Sequence, residues 1–500
     1  MGVVVETAQG TVRGSVTDSV YTFLGLPFAA PPSGANRLLP PQPVEPWSGV
    51  RDASQWGPAP PQVAPPESAG TDWDTYVTGD DCLSLNIWTP DPEATGLPVM
   101  VWIQGGAFEI GSTAAYDGSH FARDGVVCVV INWRLGADGF LYLGDGYANL
   151  GLLDQVAALE WVRENIAAFG GDPGNVTVFG ESAGAMSIGV LLSMPRADGL
   201  FRRAILQSGA AHFVSPAETA ARVGRYLAEK LGVPPTHEAI AAVPVERLLE
   251  AQVAFSAELV AQPVSDRWGQ DMVMTMPWQP VIDGEVVPGP PLERIGGGSA
   301  AQVDLVVGTN VDDWKLFLAI TGEIGQITDD ALAGAVGAHG RHALAAYGLP
   351  VESALAAYRA RYPGAGPGDL LAAVQTDWWV RIPAIRLADA HSTTTDTSGT
   401  YMYEFAWPAP GLGAVHALEV PFVFDTLAKD ARLFGPLLGD DPPQELADTM
   451  HAAWVSFATN GDPGWPRYDL HRRATMRFDT TSRVVDDPRS WERALWEGVR

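Results

Sequence analysis

Apolar runs without polar interruption mark the first third of the chain. Leu83–Trp88, Pro98–Ile103 and Val126–Asn132 show the pattern of strands covered on both faces. Ahead of them, residues 3–14 alternate around a glycine and predict a short N-terminal hairpin. Proline and glycine dominate from Pro27 to Pro66, an irregular loop wrapped on a surface, with Phe23, Leu24, Phe28 and Trp47 as its anchors. From Asn149 to Ala168 the residues Leu152, Leu153, Val156, Ala157, Leu159, Trp161 and Val162 keep helical spacing, and Gly170-Gly171-Asp172-Pro173 ends the helix. Val176–Phe179, Leu200–Leu206, Asp304–Gly308 and Thr400–Trp407 read as further strands. Strands alternating with helices predict an α/β fold with a large, mostly parallel, doubly wound sheet. The Ala-, Glu- and Leu-rich blocks at about 211–300 and 328–390 predict helical lobes inserted into that sheet, so residues 1–500 are expected to form a single domain.

Composition narrows the functional classes. With 46% hydrophobic residues the chain can bury a large core, and disorder is excluded as a description. Fifty-nine acidic against 31 basic residues give a formal charge of −28, which argues against nucleic acid or an anionic membrane as partner. The start, Met1-Gly-Val-Val-Val-Glu, lacks the basic and apolar regions of a signal peptide, and no apolar run is long enough to span a bilayer. Cys82 and Cys128 are the only cysteines; a disulfide between them stays open, but Cys128 lies in an apolar run and reads as a buried thiol. A reducing cytoplasm is the expected location. No metal-ligand spacing and no nucleotide-binding loop occurs, so neither metal nor cofactor is expected.

Candidate chemistry starts where Val176–Phe179 runs into Gly180-Glu181-Ser182-Ala183-Gly184. A strand turning sharply into a helix thrusts the corner residue out at the top of the sheet, and only small neighbours fit. Chance alone supplies about 0.3 such pentapeptides in a chain of this composition, so Ser182 needs corroboration from a base, an acid and an oxyanion hole. The strand Val303–Gly308 ends in Thr309-Asn310-Val311-Asp312-Asp313, offering two acids. Of nine histidines, His416 alone follows both the acids and a strand directly; His237, His339 and His342 fall in helical lobes and are expected on the surface. Trp102-Ile103-Gln104-Gly105-Gly106-Ala107-Phe108 supplies a loop of small residues whose N–H groups can face a developing negative oxygen, and the N–H of Ala183 adds another donor.

The chain resembles the type-B carboxylesterases, the cholinesterase/carboxylesterase branch of the α/β-hydrolases, most closely their bacterial p-nitrobenzyl-esterase-like members. The resemblance runs nearly end to end. It rests on Phe23-Leu-Gly-Leu-Pro-Phe-Ala-Ala-Pro-Pro, Pro46-Trp-Ser-Gly-Val-Arg-Asp, Asp81-Cys-Leu-Ser-Leu-Asn, Asn132-Trp-Arg-Leu-Gly, Phe179-Gly-Glu-Ser-Ala-Gly, Gly308-Thr-Asn-Val-Asp-Asp, His416-Ala-Leu-Glu-Val-Pro-Phe-Val-Phe and Asn460-Gly-Asp-Pro. It implies an α/β-hydrolase fold with Ser182 as nucleophile, His416 as base and Asp313 as orienting acid. It also implies oxyanion donors at Gly106, Ala107 and Ala183, a loop-shaping Gly105, a buried Glu181 beside the nucleophile and a supporting Ser208.

Three positions depart from the family pattern. Asp313 stands where relatives have glutamate, Gln104 where they have histidine or tyrosine, and Cys82 lacks the upstream partner it has in secreted relatives. The resemblance implies a monomeric serine carboxylesterase acting on a small-molecule ester. The same acyl-enzyme could serve an acyltransferase, amidase or carbamate hydrolase, and the fold also has non-catalytic binding members. Trp278, Trp314, Trp378 and Trp379 read either as an aromatic substrate pocket or as core.

Overall fold

A strand that is apolar at every position needs cover on both faces. The computed structural model describes residues 2–63, 77–261, 276–333, 347–394, 397–427 and 435–499, and it provides that cover. Eleven strands form one sheet: β1 (Ser15–Thr17), β2 (Val20–Pro27), β3 (Ser84–Thr89), β4 (Leu97–Ile103), β5 (Val127–Ile131), β6 (Gly171–Glu181), β7 (Arg203–Gln207), β8 (Asp304–Asn310), β9 (Thr400–Phe405), β10 (Ala474–Phe478) and β11 (Arg483–Asp486). Their spatial order is β11-β10-β9-β8-β7-β6-β4-β5-β3-β2-β1. The block from β10 to β5 is parallel throughout. The two margins are antiparallel.

Alternate residues of each central strand enter opposite cores. Val99, Val101 and Ile103 of β4 face one, with Val127, Val129 and Ile131 of β5 and Val178 of β6. Met100, Trp102, Cys128, Val130 and Phe179 face the other. The helices Leu150–Asn165 and Ala183–Leu191 cover the first face; Ser119–Arg123, Val420–Val423 and Gln444–Asn460 cover the second. Both cysteines are buried and unbonded to each other. Among the described residues no helix is long and apolar enough to cross a membrane.

The margins differ from the sequence reading. Phe23 and Leu24 belong to strand β2, because a register shift between Phe23 and Leu26, with Gly25 at φ 64°, breaks the alternation that would reveal a strand. The predicted hairpin pairs Val4–Thr7 with Gly10–Arg13 and gains Val50–Asp52 as a third strand, in a small sheet of its own. Helices Ala217–Leu231, His237–Ala241 and Val245–Ala261 lie between β7 and β8; Lys315–Ile320, Val351–Arg361, Pro367–Thr376 and Ile382–Ser392 lie between β8 and β9. His339, His342 and parts of both helical blocks lie outside the described residues. His237, expected on the surface, is buried, with Nδ1 2.7 Å from a carboxylate oxygen of Asp145 and its ring against Tyr147. A polar side chain at a helix start is free to turn inward when an acid waits there.

Strand order positions the site. β4 lies between β5 and β6, so the chain's winding direction reverses between β4 and β6, and the crevice at such a switch point is where α/β sheets bind ligands. Register places the ends in one row: Ile103 opposite Gly180, Glu181 opposite Gln207, Gln207 opposite Gly308, and Asn310 opposite Phe405. Just past the end of β5 a buried ion pair joins the loop to the helix Leu150–Asn165. Arg134 donates from Nε and Nη2 to the two carboxylate oxygens of Asp154 at 2.8 and 2.7 Å, and from Nη1 to the Leu39 carbonyl at 2.7 Å.

Removing one partner of such a pair strands a buried charge. Asp154→Asn is expected to destabilise the fold by about 3–5 kcal/mol, seen as a lower melting temperature. An unchanged melting temperature would show that the pair contributes little.

Candidate active site

The elbow is held by backbone contact on every side. β6 ends at Glu181, and the helix Ala183–Leu191 starts one residue later. Ser182, between them, sits at φ 55°, ψ −125°, a conformation costing about 1–3 kcal/mol for a residue with a side chain. A Cβ on Gly184 would lie 1.9 Å from the Ile103 carbonyl oxygen, and one on Gly180 2.6 Å from it. The Ser182 N–H donates to Gln207 O at 2.9 Å, and its carbonyl accepts the Met186 N–H at 2.8 Å. Both bonds lock the corner to β7 and to the new helix. Among the described residues twelve non-glycine residues have positive φ; Ala107, Phe108, Ser182, Ser208 and Ala417 all fall within the loops that meet here.

The acid and the histidine come from neighbouring strand ends. β8 ends at Asn310, and its loop turns Asp313 back so that Oδ2 accepts the Asn310 N–H at 2.8 Å and the Ser208 hydroxyl at 2.9 Å. Its other oxygen, Oδ1, lies 2.6 Å from His416 Nδ1. Asp312 points elsewhere: Oδ2 accepts the Ala414 N–H at 3.0 Å and braces the loop that leads to His416. Beyond the imidazole, Nε2 lies 3.0 Å from Glu181 Oε1. Among the described residues Glu181 Oε1 makes no hydrogen bond of its own, so the contact is that of an ion pair. Among the described residues no hydrogen bond joins Ser182 Oγ to His416, which meets Glu181, the residue next to Ser182, instead.

The glycine loop of residues 104–108, expected to supply the oxyanion donors, packs directly on this group. A Cβ on Gly105 would lie 2.9 Å from Glu181 Oε2 and 3.0 Å from Ser182 Cβ, so only glycine allows the approach. Gly106, at φ 114°, accepts through its carbonyl from the N–H groups of Glu109 and Ile110 at 2.9 and 3.0 Å and closes a tight turn. Ala107 and Phe108 follow in left-handed conformation, with Phe108 buried against Trp133 and Phe140.

Charge dominates the chemistry. Burial opposes a charged His416, but Glu181 and Asp313 outweigh it and raise the imidazole pKa well above 6.5. A third acid that sequence reasoning left without a role, Glu419, is fully buried three residues on. Burial first, then repulsion from Glu181 and Asp313, pushes its pKa up to about 8. It is held by Asn310 Nδ2 at 2.6 Å and Gln207 Nε2 at 3.2 Å, while Gln207 Oε1 accepts Trp454 Nε1–H at 3.0 Å. Asn310 and Glu419 both lie inside motifs shared with the carboxylesterases; only their burial reveals them as a network.

Aromatic rings extend from the histidine. Phe317 lies 5.1 Å from the His416 ring, Trp314 4.8 Å from Phe317, and Trp379 4.0 Å from Trp314 at 87°. Phe213 lies 5.2 Å from Trp379. Trp379 rides on a single π-helical turn, Asp377–Arg381, between two α-helices. Trp378 instead pairs with Tyr347, and Trp278, 1% exposed, with Phe255; neither joins this row.

The sequence model of the Carboxylesterase family matches residues 2–496. The para-nitrobenzyl esterase of Bacillus subtilis is 36% identical, over 98% of this chain and 97% of its own. The phenmedipham hydrolase of Pseudarthrobacter oxydans is 34% identical, over 93% and 92%. The crystal structure of the Geobacillus stearothermophilus carboxylesterase EST55 at pH 6.2 superposes with a TM-score of 0.83 at 37% identity, covering 99% of each chain.

The two aspartates separate by experiment. Asp313→Asn is expected to lower kcat for a p-nitrophenyl ester by about 10⁴-fold, as misorienting a base does elsewhere. Asp312→Asn, which keeps an acceptor for the Ala414 N–H, should stay within a few-fold of wild type. The reverse ranking would transfer the orienting role to Asp312.

Proposed function

The chain belongs to the carboxylesterase family and is a carboxylic-ester hydrolase; we propose that it works through an acyl-enzyme on Ser182. The observation that carries this reading is the 2.6 Å His416–Asp313 contact beside a serine in strained conformation at the sheet's switch point. His416 Nε2 exchanges its Glu181 contact for Ser182 Oγ and takes the hydroxyl proton as the oxygen attacks the ester carbonyl. Apo hydrogen bonds of this kind often tighten only with substrate present. The tetrahedral oxyanion is held by the N–H groups of Gly106, Ala107 and Ala183. Nε2–H then protonates the departing alkoxide. Water, deprotonated by the same nitrogen, attacks the acyl carbonyl; collapse frees the acid and returns the proton to Ser182.

Asp313 fixes the Nδ1–H tautomer, and Ser208 with the Asn310 N–H fixes Asp313. The Bacillus relative carries the name para-nitrobenzyl esterase, and the row Phe317, Trp314 and Trp379 supports aryl or other hydrophobic esters as the substrate class here. Two buried free cysteines support a reducing, cytoplasmic location. We take the protein as a one-domain monomer that needs no metal or cofactor.

Ser182→Ala is expected to abolish turnover of short-chain p-nitrophenyl esters; activity near wild type would sink the acyl-enzyme. Weighing the products formed with added alcohols or amines separates hydrolysis, expected to give the free acid, from acyl transfer. A pH profile tests the charge balance. Catalysis needs neutral His416, and its raised pKa places the acid limb of kcat/KM above pH 6.5. Glu181→Gln removes a negative charge, lowers that pKa and should move the limb to lower pH. A limb that stays put would show that Glu181 does not tune the base.

A further inference from the structure

We propose that Gln62, lying in the proline-rich strap 49 residues before Gly111, is a positioning residue that fixes the oxyanion loop, with Gln104 as its buried backstop. The proposal rests on the reading of Gly106 and Ala107 as oxyanion donors. The loop leaves β4 at Gln104, is tied midway where Phe108 O accepts the Gly136 N–H at 2.7 Å, and is tied again at Gly111. At Gly111 a side chain does what a neighbouring strand does elsewhere. Gln62 Nε2 donates to the Gly111 carbonyl at 2.8 Å, and Gln62 Oε1 accepts the Gly111 N–H at 2.8 Å. The second N–H of Nε2 goes to Pro60 O at 2.9 Å, which fixes the orientation of the amide. A carboxamide sets a donor and an acceptor side by side, which neither an acceptor-only carboxylate nor an apolar chain can do.

The strap itself is tied to the sheet. Asn132, just past β5, donates to Pro58 O at 3.2 Å and accepts the Thr113 N–H at 3.2 Å, two residues beyond the gripped glycine. Behind Gly111, whose φ is 145°, the space is full: a Cβ would lie 3.0 Å from Gln104 Nε2 and 3.0 Å from Gly105 O. Gln104 is completely buried, and among the described residues neither polar atom of its amide has a hydrogen-bond partner. An unpaired buried polar group costs about 1–3 kcal/mol, so this amide sits under the loop at the expense of stability. Gly111 is thus gripped from the strap and stopped from the sheet. Between its two ends the loop carries Gly105 against Ser182 Cβ and the strained pair Ala107 and Phe108, so a shift at Gly111 is transmitted to the donors.

The test compares Gln62→Met, Gln62→Glu and Gln104→Met with wild type and Ser182→Ala. Active sites are titrated by a phosphonate that labels serine, and melting temperatures are recorded. The expected result for both Gln62 variants is a fall in kcat per titrated site of about tenfold or more, less than the 10²–10³ for outright loss of one donor. Affinity for a trifluoromethyl ketone, which forms a tetrahedral oxyanion, should fall in parallel, with KM within about threefold because ground-state binding does not use the donors. Gln104→Met should raise or preserve the melting temperature while lowering kcat. If kcat per titrated site and ketone affinity stay within about twofold in folded Gln62 variants, the clamp is wrong; it is equally wrong if activity falls only with the number of titrated sites. Full activity in Ser182→Ala would instead overturn the acyl-enzyme reading and leave the clamp without a purpose.

Discussion

The site depends on how closely two strand ends approach. Parallel pairing of β4 with β6 brings the Ile103 carbonyl so near the start of the next helix that Gly180 and Gly184 have no room for a Cβ. Because the glycines fit only there, the helix must begin at Ala183, and the one residue left at the corner, Ser182, takes a conformation that projects it from the sheet. The same proximity puts Gly105 on Ser182 Cβ, so the proposed nucleophile and the proposed oxyanion loop are positioned by one contact. Rigid cores on both faces of the sheet keep that contact from relaxing, since packed interiors yield little.

Around this corner the protein concentrates negative charge. Glu181 and Asp313 lie buried beside a single imidazole, and Glu419, buried as well, is repelled by both. The raised values of His416 and Glu419 are two expressions of the same crowding. The imidazolium form of His416 gains from two flanking acids, which is also the charge it acquires in the transition state of each step. Resting-state attraction to Glu181 opposes catalysis, whereas stabilisation of developing imidazolium favours it. In the proposed mechanism Glu181 thus acts on both the titration of the base and the tolerance of its cation.

How much of this was legible in the sequence follows from the kind of signal each part leaves. Strands buried on both faces announce themselves as apolar runs, so β3 to β9 were readable. Margins such as β2, β10 and β11 were not, because bulges and half-exposed faces blur the period. Ser182, His416 and the glycine loop carry motif signals tied to backbone geometry. Glu419, Gln207 and Trp454 carry none, since their roles come from a buried hydrogen-bond network formed across more than 200 residues of chain. Phe317 likewise emerged only from packing on His416. His237 illustrates the opposite error: its place in a helical lobe suggested a surface, and a neighbouring acid holds the ring inside.

In the proposed triad, with Asp313 as the orienting acid, loop pairing accounts for the shorter side chain. Relative to glutamate, aspartate lacks one methylene, roughly 1.5 Å of reach. Here the acid loop and the histidine loop run as a paired segment: the Asp312 N–H donates to Ala414 O at 2.9 Å, and the His416 N–H donates to Asp313 O at 3.1 Å. Asp312 adds a side-chain bond to the Ala414 N–H, and Gly413, at φ 92°, gives way to its carboxylate, which a Cβ there would meet at 2.4 Å. Main chain thus carries His416 to within reach of the aspartate, and the residue before it braces the approach. Reach lost in the side chain is supplied by backbone pairing, with Asp312 setting the distance that Asp313 spans.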